Sequence, residues 1–507
     1  MKLQGFIGPA YSLQSVNVDA QRCVNMYPVV IESGTGKGAQ VAYLAPTPGL
    51  RKLVTVGDGP IRLVHVDAIG RIFIVSGNKL YVITESAGTW SATLCGADGT
   101  AGGSAKTFDT SSGPMKAASM SFQGTGTDSS TLFVDGTTNY LYLDDVAQDY
   151  FGDLVDFGYG DVATATDVVW SDGYFILNES GTNKFYVSDL QAFNVDALSF
   201  SSSEGSPDIL LAMQVANRNL YLFNENTIEI YYNSGNADFP FERVQGGFIE
   251  IGCRAKSSVA KINSTLIWLG RNKEGQGIVF KMDGSSPQRI STHAIEYAIT
   301  TYTASSISSA RAYTYQDKGH FFYVLNFSEA TWVYDLTTQL WHQRAYTSAG
   351  SLQRHKGVDC AFDGGHNYTI VGDYSNADVY RFDDTYYSDD GDAITRLRTS
   401  PHISNDLKRL FCHSFQLDME VGIGLDGGVQ GSSPTVMFDF SDDGGHTWSS
   451  ESWALADNAA GSIGEYKTRV RWTRLGSFRD RIFRVSMTDP VKTIWIDAQL
   501  DVTAGES

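Results

Sequence analysis

The sequence predicts an all-β chain: a β-propeller of six to seven blades, preceded by an extended N-terminal arm (1–50) and followed by a C-terminal β-sandwich-like domain (395–507). Three observations lead there. First, a strand-rich unit recurs between residues 58 and 384 and ends in an aromatic–aliphatic strand closed by an acidic or glycine turn. The copies read LYLDD (141–145), KFYVSDL (184–190), IEIYYNSG (228–235), IVFKMDG (278–284), TWVYDLTT (331–338) and DVYRFDD (378–384), with LYVIT (80–84) a weaker first one. Second, units starting near 166, 209, 257, 308 and 357 are spaced by about 43 to 51 residues, the period of a blade of four short strands. Third, the period breaks at about Arg396, where longer alternating strands begin.

The elements follow in order. Residues 1–50 do not repeat; they carry Pro28, Pro46, Pro48 and a glycine-rich SGTGKG (33–38), which suits an arm that crosses other elements. The propeller is assigned to 51–394. Within it, NSTLIWLGRNKEGQGIVFKM (263–282) places two β-rich runs around a polar glycine turn, a hairpin signal, and GHFFYVLNFSEATWVYDLTTQLWHQR (319–344) gives three such runs. The Gly/Ser/Thr-rich region 96–130 reads as a long loop between blades. Only THAIEYAITTY (292–302) has helical spacing, with Ile295, Ala298 and Ile299 on one side. The polar SDDGDA (388–393) marks the junction. Beyond it, FCHSFQLDMEVGIG (411–424), PTVMFDFSDDGGHTW (434–448), KTRVRWTRLG (467–476), RIFRVSM (481–487) and TIWIDAQLDV (493–502) alternate as sandwich strands.

Composition agrees with an ordered β chain. Of 507 residues, 42% are hydrophobic and 12% aromatic, enough to build a core without disulfides or metals, and 51 glycines against 12 prolines suit many tight turns. The net charge of −19 argues against a broad nucleic-acid grip. The acidity is uneven: 395–484 holds as many Lys/Arg as Asp/Glu, so an arginine-rich C-terminal part stands beside an acidic propeller. That segment reads either as a docking surface or as a solvated sheet face. Five widely spaced cysteines (Cys23, Cys95, Cys253, Cys360, Cys412) read as buried reduced thiols of a protein made in a reducing cytoplasm. The opening MKLQGFIGPAYSL lacks a signal-peptide profile and no apolar run reaches membrane-span length, so a soluble chain is expected.

No catalytic constellation assembles. Ser441, Asp443, Gly445, Thr447 and Trp448 match the Asp-box pattern S-x-D-x-G-x-T-W, which resembles sialidases and other sugar-active propellers, but its chemistry is that of a structural turn and it occurs once. SVAK (258–261) matches S-x-x-K only on a strand-like run, which puts the pair on opposite faces. GTGKG (34–38) lacks Walker spacing. No HExxH exists among nine scattered histidines, and the acidic turn Asp383, Asp384, Asp389, Asp390 and Asp392 lacks EF-loop alternation. Acidic pairs for glycoside hydrolysis abound without any way to choose among them. No cofactor, metal or catalytic residue is assigned.

The non-repeating ends carry a resemblance. RCVNMYP (22–28) followed by YLAPTPGL (43–50) resembles the opening of the tail hub, or packaged-DNA stabilisation, proteins of short-tailed phages, in which a VNM segment precedes a PG turn leading into the first blade. The order continues through DVVWSDGYFILNESGTNKFYVSDL (167–190), NRNLYLFNENTIEIYYNSG (217–235), the short helix before ARAYTY (310–315), and the strands RVRWTRLG (469–476) and RIFRVSM (481–487). The chain is longer than that family around 96–130 and 424–434.

The resemblance implies a structural virion protein without enzymatic activity. Several copies, six by that likeness, form a ring below the portal and adaptor, close the channel after packaging, support a needle or tailspikes, and pass DNA without binding it specifically. Net negative charge fits such a conduit. A ring holding pressurised DNA needs obligate-type contacts of about 2,000 Å² or more. The arm, through Arg22, Asn25, Met26, Tyr27 and Pro28, and the sandwich, through Arg469, Arg471 and Arg474, are expected to supply them; the alternative for the arm is packing within its own subunit. Two competing readings are a propeller glycosidase or depolymerase and a carbohydrate-recognition module.

Overall fold

The computed structural model describes residues 2–32, 42–96, 106–121, 129–143, 150–157, 164–271, 275, 277–284, 286–406, 408–450 and 456–505. The glycine-rich 33–38 and the Asp144–Asp145 turn lie outside them, as do 97–105 and 122–128; the rest of the expected 96–130 loop is not all loop, because Lys116–Ser121 is a strand whose Ala118 and Met120 alternate into a buried cluster.

Seven four-stranded antiparallel units form the blades. Blade 1 comprises Ile61–Val66, Ile72–Ser76, Lys79–Ser86 and Thr89–Leu94. Blades 2, 3 and 4 begin with Lys116–Ser121, Val168–Ser171 and Leu210–Ala216. Blade 5 has a broken first strand, Gly252–Cys253 and Ala260–Ile262, both paired with Thr265–Arg271. Blade 6 begins with Arg311–Asp317. Blade 7 consists of Gly357–Asp363, Tyr368–Asp373, Asp378–Asp383 and, from the N-terminal part of the chain, Gly49–Thr55.

The repeated aromatic strand is the third of each blade, not the last. In blades 1 and 3 the fourth strand that follows it is largely open to solvent: Thr89–Leu94 has no buried residue and Val195–Ser202 only Val195. An outer strand loses the alternating apolar signal because it has little to bury, so the sequence unit looks one strand too short.

The blades stack by burying one hydrophobic cluster at each junction. Phe73 and Leu63 meet Phe133 and Tyr142 between blades 1 and 2. Leu132 and Leu141 meet Phe175 and Leu177 between blades 2 and 3. The seventh cluster joins Ile370 and Val379 of the last blade to Ile61, Ile72 and Ile74 of the first, which closes the disc. Inner-strand polar groups reinforce this. The Val64 amide donates to Asp359 Oδ2 at 3.1 Å across blades 7 and 1, and the Met213 amide to Asp167 Oδ2 at 2.8 Å across blades 3 and 4.

The expected helix is His293–Thr300, capped by Thr292, with Ala294, Ile295 and Ile299 buried and Ala298 at its margin. A second helix, Ala304–Ser308, follows it where no helical period is legible. At five residues it is too short to show one, and the Thr303 hydroxyl, which accepts from the Ser306 amide, starts it.

The C-terminal part is two packed sheets. One contains Leu410–Met419, Val470–Thr473 and Trp495–Ala504; the other contains Arg396–Thr399, Asp480–Met487 and Met437–Ser441. Phe415, Trp472, Trp495 and Leu500 meet Phe438, Phe483, Val485 and Met487 between them. Leu3, Phe6, Cys23, Met26 and Leu44, from the N-terminal fifty residues, complete that core.

Candidate functional site: the arm at the propeller–sandwich junction

The segment VNMY shows how the arm works, because successive side chains enter different bodies. Val24 pairs in parallel with Gln343 of blade 6 and antiparallel with Leu397 of the sandwich, so its strand welds the two sheets into one. Asn25 adopts φ +54°, a conformation Asn tolerates better than most residues. Its amide nitrogen donates to the Ala345 and Thr395 carbonyls at 2.9 Å each, and its side-chain oxygen accepts from the Ala345 amide at 2.9 Å. Met26 enters the sandwich core. Tyr27 enters the cluster between blades 6 and 7, edge-on to Phe322 at 5.1 Å. Pro28, also buried, pairs with Leu44 in the hairpin Met26–Val30 and Ala42–Pro46, which joins the sandwich sheet through Leu44 and Trp495. Arg22 is half-buried and donates to Gln343. The side chains of Asn25, Met26, Tyr27 and Pro28 are thus buried within their own chain.

Two arginines that sequence reasoning counted only as surface charge organise this junction. Arg398, fully buried, donates to the Phe6 carbonyl at 2.6 Å, Pro9 at 2.7 Å and Gly5 at 2.8 Å, and to Gln21 Oε1 at 2.6 Å. Burial holds its guanidinium below the usual arginine range. Arg396 donates to the Tyr387 and Asp489 carbonyls, and burial lowers it to about 10. The signal was the spacing in RLRT (396–399), two arginines one strand period apart, masked by the default that charged residues lie outside.

The other arginines divide. Arg481 and Arg484 bind Asp442 and Asp439 bidentately and lie over Phe440 and Trp448 at 3.9 and 4.1 Å. Arg471 donates to Ser414 at 3.0 Å. Arg469 and Arg474 are exposed. The arginine-rich part is therefore neither wholly a docking surface nor wholly a solvated face: much of it is internal framework.

The Asp-box turn is local architecture. Ser441 donates to Asp443 at 2.7 Å and accepts from the Gly445 amide, while Asp443 accepts from the Thr447 amide and hydroxyl. Those bonds hold the Asp443 carboxyl well below the usual range. Gly445 supplies φ +97°, and Trp448 lies beneath Arg484. Ser258 is buried, donates to the Ala255 carbonyl and accepts from the Leu269 amide, whereas Lys261 is exposed, so S-x-x-K forms no pair. Asp383 is held by Arg51 and Arg381, and Asp392 by Lys356 and Tyr346.

Asp389 is the junction's titrating group. It is 2% exposed, one carboxylate oxygen has no partner, and burial raises it to about 6 against opposing pulls from Arg344, Lys356 and Arg396. A carboxyl raised on folding binds its proton more tightly in the native chain, so stability from this group falls as pH rises from about 4 to about 6. Asp389→Asn is expected to stabilise by about 2–3 kcal/mol at pH 7.5 and to change little at pH 4. Equal melting shifts at both pH values would contradict this.

Comparison with known proteins bears on this two-body chain. Residues 10–387 match the model described as bacteriophage P22 Gp10, β-propeller, and 395–503 match bacteriophage P22 Gp10, β-sandwich. The chain belongs to the P22 Gp10 family. It is thereby a phage tail structural protein, and the two Gp10 models adjoin where Arg396 bonds Tyr387 and Asp489 and Arg398 ties the N-terminal loop to the sandwich. No curated protein matches the sequence. Among solved structures, the extracellular domain of the putative one-component system BT4673 of B. thetaiotaomicron is similar at 8% identity and TM-score 0.42, covering 89% of this chain and 61% of that one. PorZ, a surface component of the type-IX secretion system of Porphyromonas gingivalis, is similar at 12% identity and TM-score 0.37, covering 65% of this chain and 37% of that one. At such scores neither likeness carries an argument beyond the Gp10 assignment.

Proposed function

We propose that this protein is the ring-forming hub, or nozzle, of a short-tailed phage tail. Six copies stack below the portal and adaptor, close the channel after DNA packaging, carry a needle or tailspikes below, and let DNA out at infection. The observation that carries this reading is the collinear match of a Gp10 propeller and a Gp10 sandwich over 10–387 and 395–503. Physical features support it. Arm, propeller and sandwich share sheets and cores, so each subunit can transmit load as one rigid body. The net charge of −19 lets a DNA conduit avoid a salt-dependent grip.

Because the VNMYP side chains lie inside the chain, subunit contacts are assigned to exposed groups, with Arg469 and Arg474 facing acidic propeller surface on the next copy. Arg469→Glu with Arg474→Glu is expected to leave the melting temperature unchanged and to weaken ring formation on portal-bearing heads by about tenfold or more. Normal rings from the double variant would remove these residues from the interface. Purified protein that assembles no ring on such heads, under conditions where portal and adaptor are intact, would sink the hub reading itself.

A further inference from the structure

The first strands of blades 2, 3 and 4, with Lys261 of blade 5, border an open cavity of about 490 Å³, within the range of small-molecule sites, roughly 300–1,000 Å³. Its wall carries Trp170, 43% exposed on the first strand of blade 3. Among the described residues this indole is unusual. Trp268, Trp341, Trp472 and Trp495 are buried, Trp90 packs on His366, Trp332 donates to Tyr302, and Trp448 lies under Arg484. Among the described residues, the Trp170 indole meets no ring, cation or hydrogen-bonding group. An indole held in a concave polar site with its surface open to water is a platform awaiting a flat apolar face.

Planar polar groups surround it. Asp172 and Arg218, in the turns that end the first strands of blades 3 and 4, pair at 3.2 Å. Asn217 stands beside Arg218, and both hold positive φ, which fixes the turn that presents them. Lys116 from blade 2 and Lys261 from blade 5 bring two ammonium groups to the same cavity. Deeper in the wall, Asp167 is 3% exposed and one of its carboxylate oxygens has no partner. Burial raises its carboxyl, so it opposes the three cations less than a free aspartate would.

We propose that this cavity binds an acidic saccharide of one to three sugar units. The indole stacks on the C–H face of a pyranose ring. The Asn217 amide and the Asp172–Arg218 pair, with donors and acceptors in fixed planes, bond vicinal hydroxyls. Lys116, Lys261 and Arg218 receive a sugar carboxylate. A stacked nucleobase would use the same indole, and the thymidine pentanucleotide below separates that occupant from the sugar. The site is independent of the ring assembly proposed above.

Saturation-transfer NMR on the full chain tests this with three probes: trigalacturonate, maltotriose and a thymidine pentanucleotide. Trigalacturonate is expected to bind, to weaken with added salt, and to bind at least about tenfold more tightly than the other two. Trp170→Ala should weaken it about tenfold or more and Trp170→Phe much less, with unchanged melting temperatures because the side chain lies outside every core cluster. Arg218→Gln, at a residue 83% exposed by its side chain, should erase the preference over maltotriose. No transfer to trigalacturonate, unchanged affinity in Trp170→Ala, equal binding of maltotriose, or tighter binding of the pentanucleotide would each overturn the proposal.

Discussion

Replacing Arg398 by alanine is expected to cost about 3–5 kcal/mol and to uncouple the N-terminal segment from the sandwich. The size follows from what the guanidinium does. It is fully buried, and it bonds the buried Phe6 carbonyl together with the part-buried acceptors of Gly5, Pro9 and Gln21, so its loss removes four hydrogen bonds at once. Each buried acceptor left bare costs about 1–3 kcal/mol, and the loop that carries Leu3 and Phe6 into the core loses its anchor. Lysine should rescue little, since a point charge with three donors cannot span acceptors arrayed around a planar fork. Urea unfolding monitored by fluorescence, with hydrogen exchange over residues 3–23, reads both effects. An Arg398→Ala chain with a wild-type midpoint would mean the loop holds itself in place.

The second large effect is expected at Gly49, the first residue of the strand that completes blade 7. A methyl group there would lie 2.1 Å from the Tyr386 carbonyl oxygen and 2.5 Å from that of Ser388. Both are backbone atoms and cannot rotate away, so Gly49→Ala must push the Tyr386–Ser388 segment and the start of the Gly49–Thr55 strand apart, at the end where that strand pairs with Asp383. Overpacking of this kind costs about 1–3 kcal/mol and occasionally more. Here it also loosens the closure of the disc, so amides of 49–55 should exchange faster and proteolysis near residue 56 should appear. Gly364→Ala, with open space around it and no special backbone angle, is the matched control and should be silent. Equal behaviour of the two variants would show that the strand is not under steric constraint.

Gly49 also illustrates how the sequence misled. The PG turn reads as an entry to the first blade, yet the strand it starts pairs with the last one, and blade 1 begins only at Ile61. Nothing local distinguishes the two pairings, because a strand's partner is chosen by ring closure and not by its own residues. The arm's motif misled in the same way. VNMYP was legible as special, but its alternation between three bodies appears only when blade 6, blade 7 and the sandwich are brought around it.

Periodicity by itself determined the architecture: repeated aromatic strands require stacked blades, and the change of period at Arg396 requires a second body. It did so because burying one face of each strand is a local demand, written into every second residue. The order of the ends, and their likeness to phage tail hubs, determined the family. Tertiary structure alone decided the number of blades at seven, the strand that closes them, and the burial of Arg396 and Arg398. It alone also left the indole of Trp170 open to water. These depend on which surfaces meet across hundreds of residues, and a charged or aromatic side chain has the same letter whether it ends in a core or in a cavity.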